Sequence, residues 1–245
     1  MERRPRDIPS PAATKHIDPS SAADRRRFFI ERALRMRTRG SGSDLARLMA
    51  QPMKKPVDMF VLDGIATMLI GAHAAAAYAP ARMTQDVDIV VPAEQYAEAE
   101  ARMLDAGWQK TTDLVFHGSR LGLRGGAWAK PGTEEQDLMT SDQSWLHEAF
   151  NQQPVLRSDG KRVIPRDYLI LMKLDSARGI DQGDLNRVLG LMTSQEVEAT
   201  VSVVARHYDD EQIVEDLRQS AEIGRWEYES AKTPVREDEG RSGEQ

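Results

Sequence analysis

The stretch Arg82-Met83-Thr84-Gln85-Asp86-Val87-Asp88-Ile89-Val90-Val91 decides how this chain is read. Apolar β-branched residues alternate with polar ones, which predicts a strand over 84–91. Successive strand side chains point to opposite faces. Asp86 and Asp88 therefore share one face, and Val87, Ile89 and Val91 the other. At a rise of about 3.3 Å per residue, the two Cα atoms lie about 6.6 Å apart. Carboxylates at that spacing can share a pair of divalent ions about 3.5–4 Å apart, the arrangement used for in-line phosphoryl chemistry. The pair alone says little: the chain holds 21 Asp, and about 1.8 Asp-x-Asp pairs are then expected by chance. Its setting says more. Two acids in an apolar strand need an ion or an arginine such as Arg82 beside them, unless the strand is an edge with both acids in water.

Working outward, Met68-Leu69-Ile70-Gly71-Ala72-His73-Ala74 reads as a strand that enters a helix through glycine. Such a turn lets backbone N–H groups face an anion such as a phosphate. Downstream, Glu134-Glu135-Gln136-Asp137-Leu138-Met139-Thr140 offers a third acid on another strand, with Glu134, Glu135, Asp137 and Asp142 all close enough in sequence to supply it. Later, Tyr168-Leu169-Ile170-Leu171-Met172-Lys173-Leu174 is an apolar helix with one lysine, followed by Arg178, Asp181 and Asp184. Plainer readings stand beside each of these. Lys173 can snorkel from a helix whose other face is core, Asp181 can be a helix cap with Asp184 one turn on, and His73 can be a packed, hydrogen-bonded histidine.

In this order the pieces resemble the nucleotidyltransferase superfamily that shares the polymerase-β catalytic fold, and in pattern its small AbiEii-type toxins and minimal nucleotidyltransferases. The resemblance spans about Val57 to Met192 and is most specific from Met68 to Val91. It implies a metal-dependent transfer of a nucleoside monophosphate from a nucleoside triphosphate such as ATP to a hydroxyl on tRNA, protein or a small molecule. Asp86, Asp88 and Asp137 would be the catalytic and metal-holding acids, binding Mg²⁺ or Mn²⁺. Gly71, Ala72, Arg82, Thr84 and Lys173 would contact the nucleotide, with Asp181 and Asp184 behind them. A toxin-like role with a cognate antitoxin is also implied. One departure is visible: the second turn position, often Gly or Ser in the superfamily, is Ala72, which offers no hydroxyl to a triphosphate. That departure supports the alternative, a catalytically inactive member of the fold acting as an interaction or regulatory module.

Composition bounds the rest. The chain has 245 residues, 40% hydrophobic and 29% charged, which suits one sizeable core. It contains no cysteine, so disulfides, thiolate metal sites and cysteine nucleophiles are excluded. The net charge is −6, unevenly spread. Residues 1–40 carry 11 Lys/Arg against 5 Asp/Glu, whereas residues 207–245 carry 5 against 12. The middle is acidic as well, so a broad basic platform for nucleic acid is not expected, although the basic head over 24–39 could reach RNA or DNA as an arm. No apolar run follows Met1-Glu2-Arg3-Arg4, and the uncharged stretch Gly64 to Ala81 carries His73 and Pro80. A soluble, cytoplasmic protein without a membrane segment is the expectation.

The predicted elements alternate. Helices are expected over 57–65, 72–78, 92–106, 145–150, 166–177, 182–192, 194–207 and 210–227. Strands are expected over 67–70 and 84–91, two or three more within 108–140, and a hairpin of 155–157 with 162–164 about Asp159-Gly160. Further helices are expected over 24–37 and 44–49. The fold class is α+β (α/β), a mixed sheet with a helical C-terminal part. The expected organisation is a basic, partly disordered extension over 1–55, a nucleotidyltransferase-like domain over 56–206, and a helix with an acidic disordered tail over 207–245.

Overall fold

The computed structural model describes residues 59–232, apart from Met83, Gln85, His117, Gly118, Glu134, Ser158, Ala177, Arg178 and Asp209. The expected extension over 1–55, its two helices and the acidic tail after Lys232 lie outside the described residues.

The described chain is an α+β fold built on one seven-stranded mixed sheet. In chain order the elements are β1 (Met68–Leu69), α1 (Gly71–Ala75), β2 (Asp86–Val90), α2 (Ala93–Asp105), β3 (Gln109–Val115), β4 (Arg124–Ala129) and β5 (Glu135–Thr140). They continue with α3 (Ser144–Asn151), β6 (Val155–Leu156), β7 (Arg162–Val163), α4 (Arg166–Ser176), α5 (Gly179–Leu189), α6 (Ser194–His207) and α7 (Glu211–Lys232). The strand order is β3-β4-β5-β2-β1-β7-β6. The β2–β5 and β1–β7 pairs are parallel and the others antiparallel.

β2 therefore sits at the centre of the sheet, which overturns the edge-strand reading of Asp86 and Asp88, although Asp86 at its start is exposed. Burial follows the alternation as far as Ile89: Val87 and Ile89 are buried and Asp88 is half-buried, while Val90, on the acid face, is buried as well. On the other face α2 packs over β3 and β5, inserting Ala99 and Met103. Lys110 of β3 is tied to Glu100 of α2 at 2.9 Å.

The helical part is organised by α4, in which Tyr168 to Lys173 are buried in succession. A helix apolar on all sides belongs inside a fold rather than on its surface, and α4 touches α1, α3, α5 and α6. α5 crosses α7 at two glycines. A Cβ on Gly224 would come within 1.8 Å of the Asn186 carbonyl oxygen, and one on Gly190 within 2.4 Å of the Gly224 backbone. α6 starts with a complete capping box, Thr193 with Glu196.

Most predicted elements are present, with three shifts. Of the helix expected over 57–65, the described part is a 3-10 turn, Met59–Leu62. α1 stops at Ala75 because Ala77 and Tyr78 donate to carbonyls only three residues back, closing a tight turn. Tyr78 then reaches across to the Ile164 carbonyl at 2.7 Å, and burial pushes its hydroxyl up to about 12. α5 begins at Gly179 rather than Gln182, which brings Asp181 inside the helix.

Candidate active site

The site is assembled by register. In the parallel β2–β5 pair, Asp88 is directly opposite Asp137 and Asp86 opposite Glu135. One carboxylate oxygen from each of Asp86, Asp88 and Asp137 lies within 4.8 Å of the others. Among the described residues, Asp137 is the one of the candidate third acids that joins this cluster. Asp142 lies beyond the far end of β5 and pairs with Arg124 at 2.8 Å. Glu134 falls outside the described residues. Asp86 is exposed and the other two acids half-buried, and Thr84 donates its hydroxyl to the Asp86 carboxylate.

Gly71 is held at φ +61, the left-handed region that suits glycine. A Cβ there would lie 1.7 Å from Asp88 Oδ2. The space that glycine leaves open is thus filled by the Asp88 carboxylate, while the Ile70 N–H donates to the Asp88 carbonyl at 2.9 Å. The turn and the acid strand are fitted to one another. Ala72, next in the turn, is buried.

Lys173 does not snorkel. Its ammonium is buried, bonded to Asp181 and, at 2.9 Å, to Asp184. Asp181 is fully buried and also accepts from the Ser176 hydroxyl at 2.6 Å, so it is a partner inside the core and not a solvent-facing cap. Arg82 finds its carboxylate in Asp184, through Nε at 3.0 Å and Nη2 at 3.2 Å. Asp184 is 2% exposed. Burial alone would raise its carboxyl, but hydrogen bonds from Arg82 and Lys173 and their charges outweigh that and hold it below the usual carboxylate range. His73 is half-buried beside Arg157, whose Nη1 lies 3.3 Å from its Nδ1.

A cleft of about 140 Å³ is lined by Gly71, Asp88, Phe116, Met139, Lys173 and Asp175, among others. Asp175 was not picked out by sequence. Its carboxylate accepts from the Arg120 N–H at 2.8 Å and from the hydroxyls of Ser119 and Tyr208. It thereby staples the loop after β3 to the end of α4 and to the residue that follows α6. Burial, and then the Asp175 carboxylate, push the Tyr208 hydroxyl well above its ordinary range. No local pattern marks Asp175, because its three partners lie far from it in sequence.

Three carboxylates on two adjacent strands form a hard, all-oxygen donor set. That set suits Mg²⁺ or Mn²⁺ and not a soft, thiolate-seeking ion. The donor chemistry therefore fits the metals that the resemblance implies.

No protein-family model and no curated sequence matches the chain. Three solved structures align with part of the chain at low overall similarity. JHP933 from Helicobacter pylori is 15% identical over 69% of this chain and 87% of its own, with a TM-score of 0.38. ANT(2'')-Ia, solved with adenylyl-2''-tobramycin, is 18% identical over 67% of this chain and 89% of its own, with a TM-score of 0.35. Terminal uridylyl transferase 4 from Trypanosoma brucei, with bound GTP, is 15% identical over 54% of this chain and 46% of its own, with a TM-score of 0.28.

Proposed function

We propose that the protein is a metal-dependent nucleotidyltransferase that moves a nucleoside monophosphate from a nucleoside triphosphate to a hydroxyl acceptor. One observation carries the reading: Asp86, Asp88 and Asp137 converge to within 4.8 Å on adjacent central strands, and Asp88 lines a cleft together with Gly71 and Lys173.

Asp86, Asp88 and Asp137 would hold Mg²⁺ or Mn²⁺. Bound there, the metal supplies Lewis-acid polarisation of phosphoryl oxygens and offsets the charge that builds up during in-line displacement. The acceptor oxygen attacks the α-phosphorus as the bond to pyrophosphate breaks. Asp137 accepts the acceptor's proton or orients the hydroxyl. Thr84, by its bond to Asp86, fixes that carboxylate's rotamer. Gly71, which lines the cleft, and Ala72 beside it would meet the triphosphate through their backbone N–H groups at the start of α1. Lys173 has two of its three ammonium donors committed to Asp181 and Asp184, which leaves one for a phosphate in the cleft. Arg82 steadies the approach to β2 from behind. The acceptor is tRNA, a protein side chain or a small hydroxylated molecule. A toxin-like role with a cognate antitoxin in the cytoplasm is the biological setting this reading suggests.

The test is calorimetric titration of each nucleoside triphosphate with and without Mg²⁺, using the wild type and Asp88→Asn. The reading expects binding that requires Mg²⁺ and is lost in the variant. No binding by the wild type, or equal binding by both proteins, would favour an inactive interaction module.

A further inference from the structure

The segment from Pro80 to Thr84 connects α1 and its turn to the acid strand. α5 grips it at Pro80 and at Arg82. Arg187, in the last turn of that helix, donates through Nη1 to the Pro80 carbonyl at 3.0 Å and through Nη2 to the Asp184 carboxylate. Asp184 in turn receives Arg82 on both oxygens. One guanidinium thus grips the connection at Pro80 directly and at Arg82 through a shared acid. Two residues on, Thr84 bonds the Asp86 carboxylate.

We propose that Arg187 is a positioning residue for the metal-holding acids, acting through Pro80, Asp184 and Arg82 rather than by touching metal or nucleotide. The proposal rests on the reading of Asp86, Asp88 and Asp137 as a metal site. Its physical basis is the fork geometry of arginine, whose parallel N–H donors can satisfy a carbonyl and a carboxylate together. Asp184 also matters here because it is buried and shared by Arg82, Lys173 and Arg187. Removing Arg187 loosens a carboxylate that the other two cations must then hold alone. The start of β2 follows, and Asp86, the exposed member of the cluster, is the ligand most affected.

Groups that orient metal ligands from behind typically cost about 10–100-fold in metal affinity when removed. The test is Mn²⁺ titration followed by electron paramagnetic resonance, beside a thermal melt that shows each protein folded at the titration temperature. Arg187→Gln should weaken Mn²⁺ binding about tenfold or more. Arg187→Lys keeps the charge but not the fork, so it should fall between that variant and the wild type, and it serves as the test if Arg187→Gln does not fold. Arg225→Gln is the control. Arg225 caps the Met192 carbonyl from α7 at 3.4 Å, away from Pro80, Arg82 and Asp184, so this variant should bind Mn²⁺ as the wild type does. Wild-type affinity in the folded Arg187 variants would overturn the inference while leaving the metal site intact. Absence of Mn²⁺ binding by the wild type itself would overturn the metal site, and the inference with it.

Discussion

The Asp88 carboxylate occupies the space that a β-carbon on Gly71 would need, with Oδ2 1.7 Å from that position. The glycine turn and the acid strand are therefore one unit. Neither keeps its geometry if the other changes.

Gly71→Ala should damage the site more than the fold. An alanine at φ +61 carries a backbone penalty of roughly 1–2 kcal/mol, which a core of this size absorbs. Its methyl must also displace Asp88 from the cluster. The expected result is a folded protein whose Mn²⁺ affinity, read by titration, drops at least tenfold. Unchanged affinity would mean that Asp88 does not need its observed rotamer to bind metal.

The staple at Asp175 gives a stability prediction. Tyr208→Phe removes one hydroxyl that donates to that carboxylate, and a hydrogen bond to a charged group contributes about 1.5–3 kcal/mol. Urea unfolding should show a loss in that range. Ser119→Ala should also destabilise, and the double variant should lose less than the sum, because both hydroxyls serve one carboxylate.

The crossing of α5 and α7 predicts a larger steric effect than its residue types suggest. Gly224→Ala drives a methyl toward the Asn186 carbonyl, 1.8 Å from the ideal Cβ position. The helices must separate, at a cost of about 1–3 kcal/mol for overpacking. An equal or higher melting temperature would show that this crossing is looser than described.

The capping box of α6 gives a pH prediction with a definite sign. The Thr193 N–H, then its hydroxyl and then Arg166, hold the Glu196 carboxyl down to about 2. A carboxyl depressed on folding adds stability that is fully present above its unfolded pKa and is lost as pH falls toward the folded one. Wild type and Glu196→Gln should therefore differ by a constant amount above about pH 5. The gap should narrow as the pH falls toward about 2. A gap that does not change with pH would mean that the carboxylate charge plays no part in the cap.

Much of this architecture was legible in sequence because its signals are local. The alternation around Asp86 and Asp88 marks β2, Gly71 marks the turn, and Asp159-Gly160 marks the hairpin of β6 and β7. The parts that were not legible are set by partners distant in the chain. Asp137 could not be separated from Glu134, Glu135 and Asp142 without the β2–β5 register. Arg82 finds Asp184 across 102 residues. Lys173 reads as a lone cation on an apolar helix until α5 brings Asp181 and Asp184 against it. The helix expected to run on to residue 65 stops at Leu62, because Asp63 and Gly64 form a turn that apolar periodicity does not report.

The central claim is tested most directly by transfer of label from α-³²P nucleoside triphosphates, supplied singly with Mg²⁺, onto cellular RNA, protein and small-molecule fractions. Wild type is compared with folded Asp86→Asn and Asp88→Asn variants. The account predicts labelling of one fraction by the wild type, lost in both variants. Label transferred equally by the variants, or none from any nucleotide in any fraction, would contradict it.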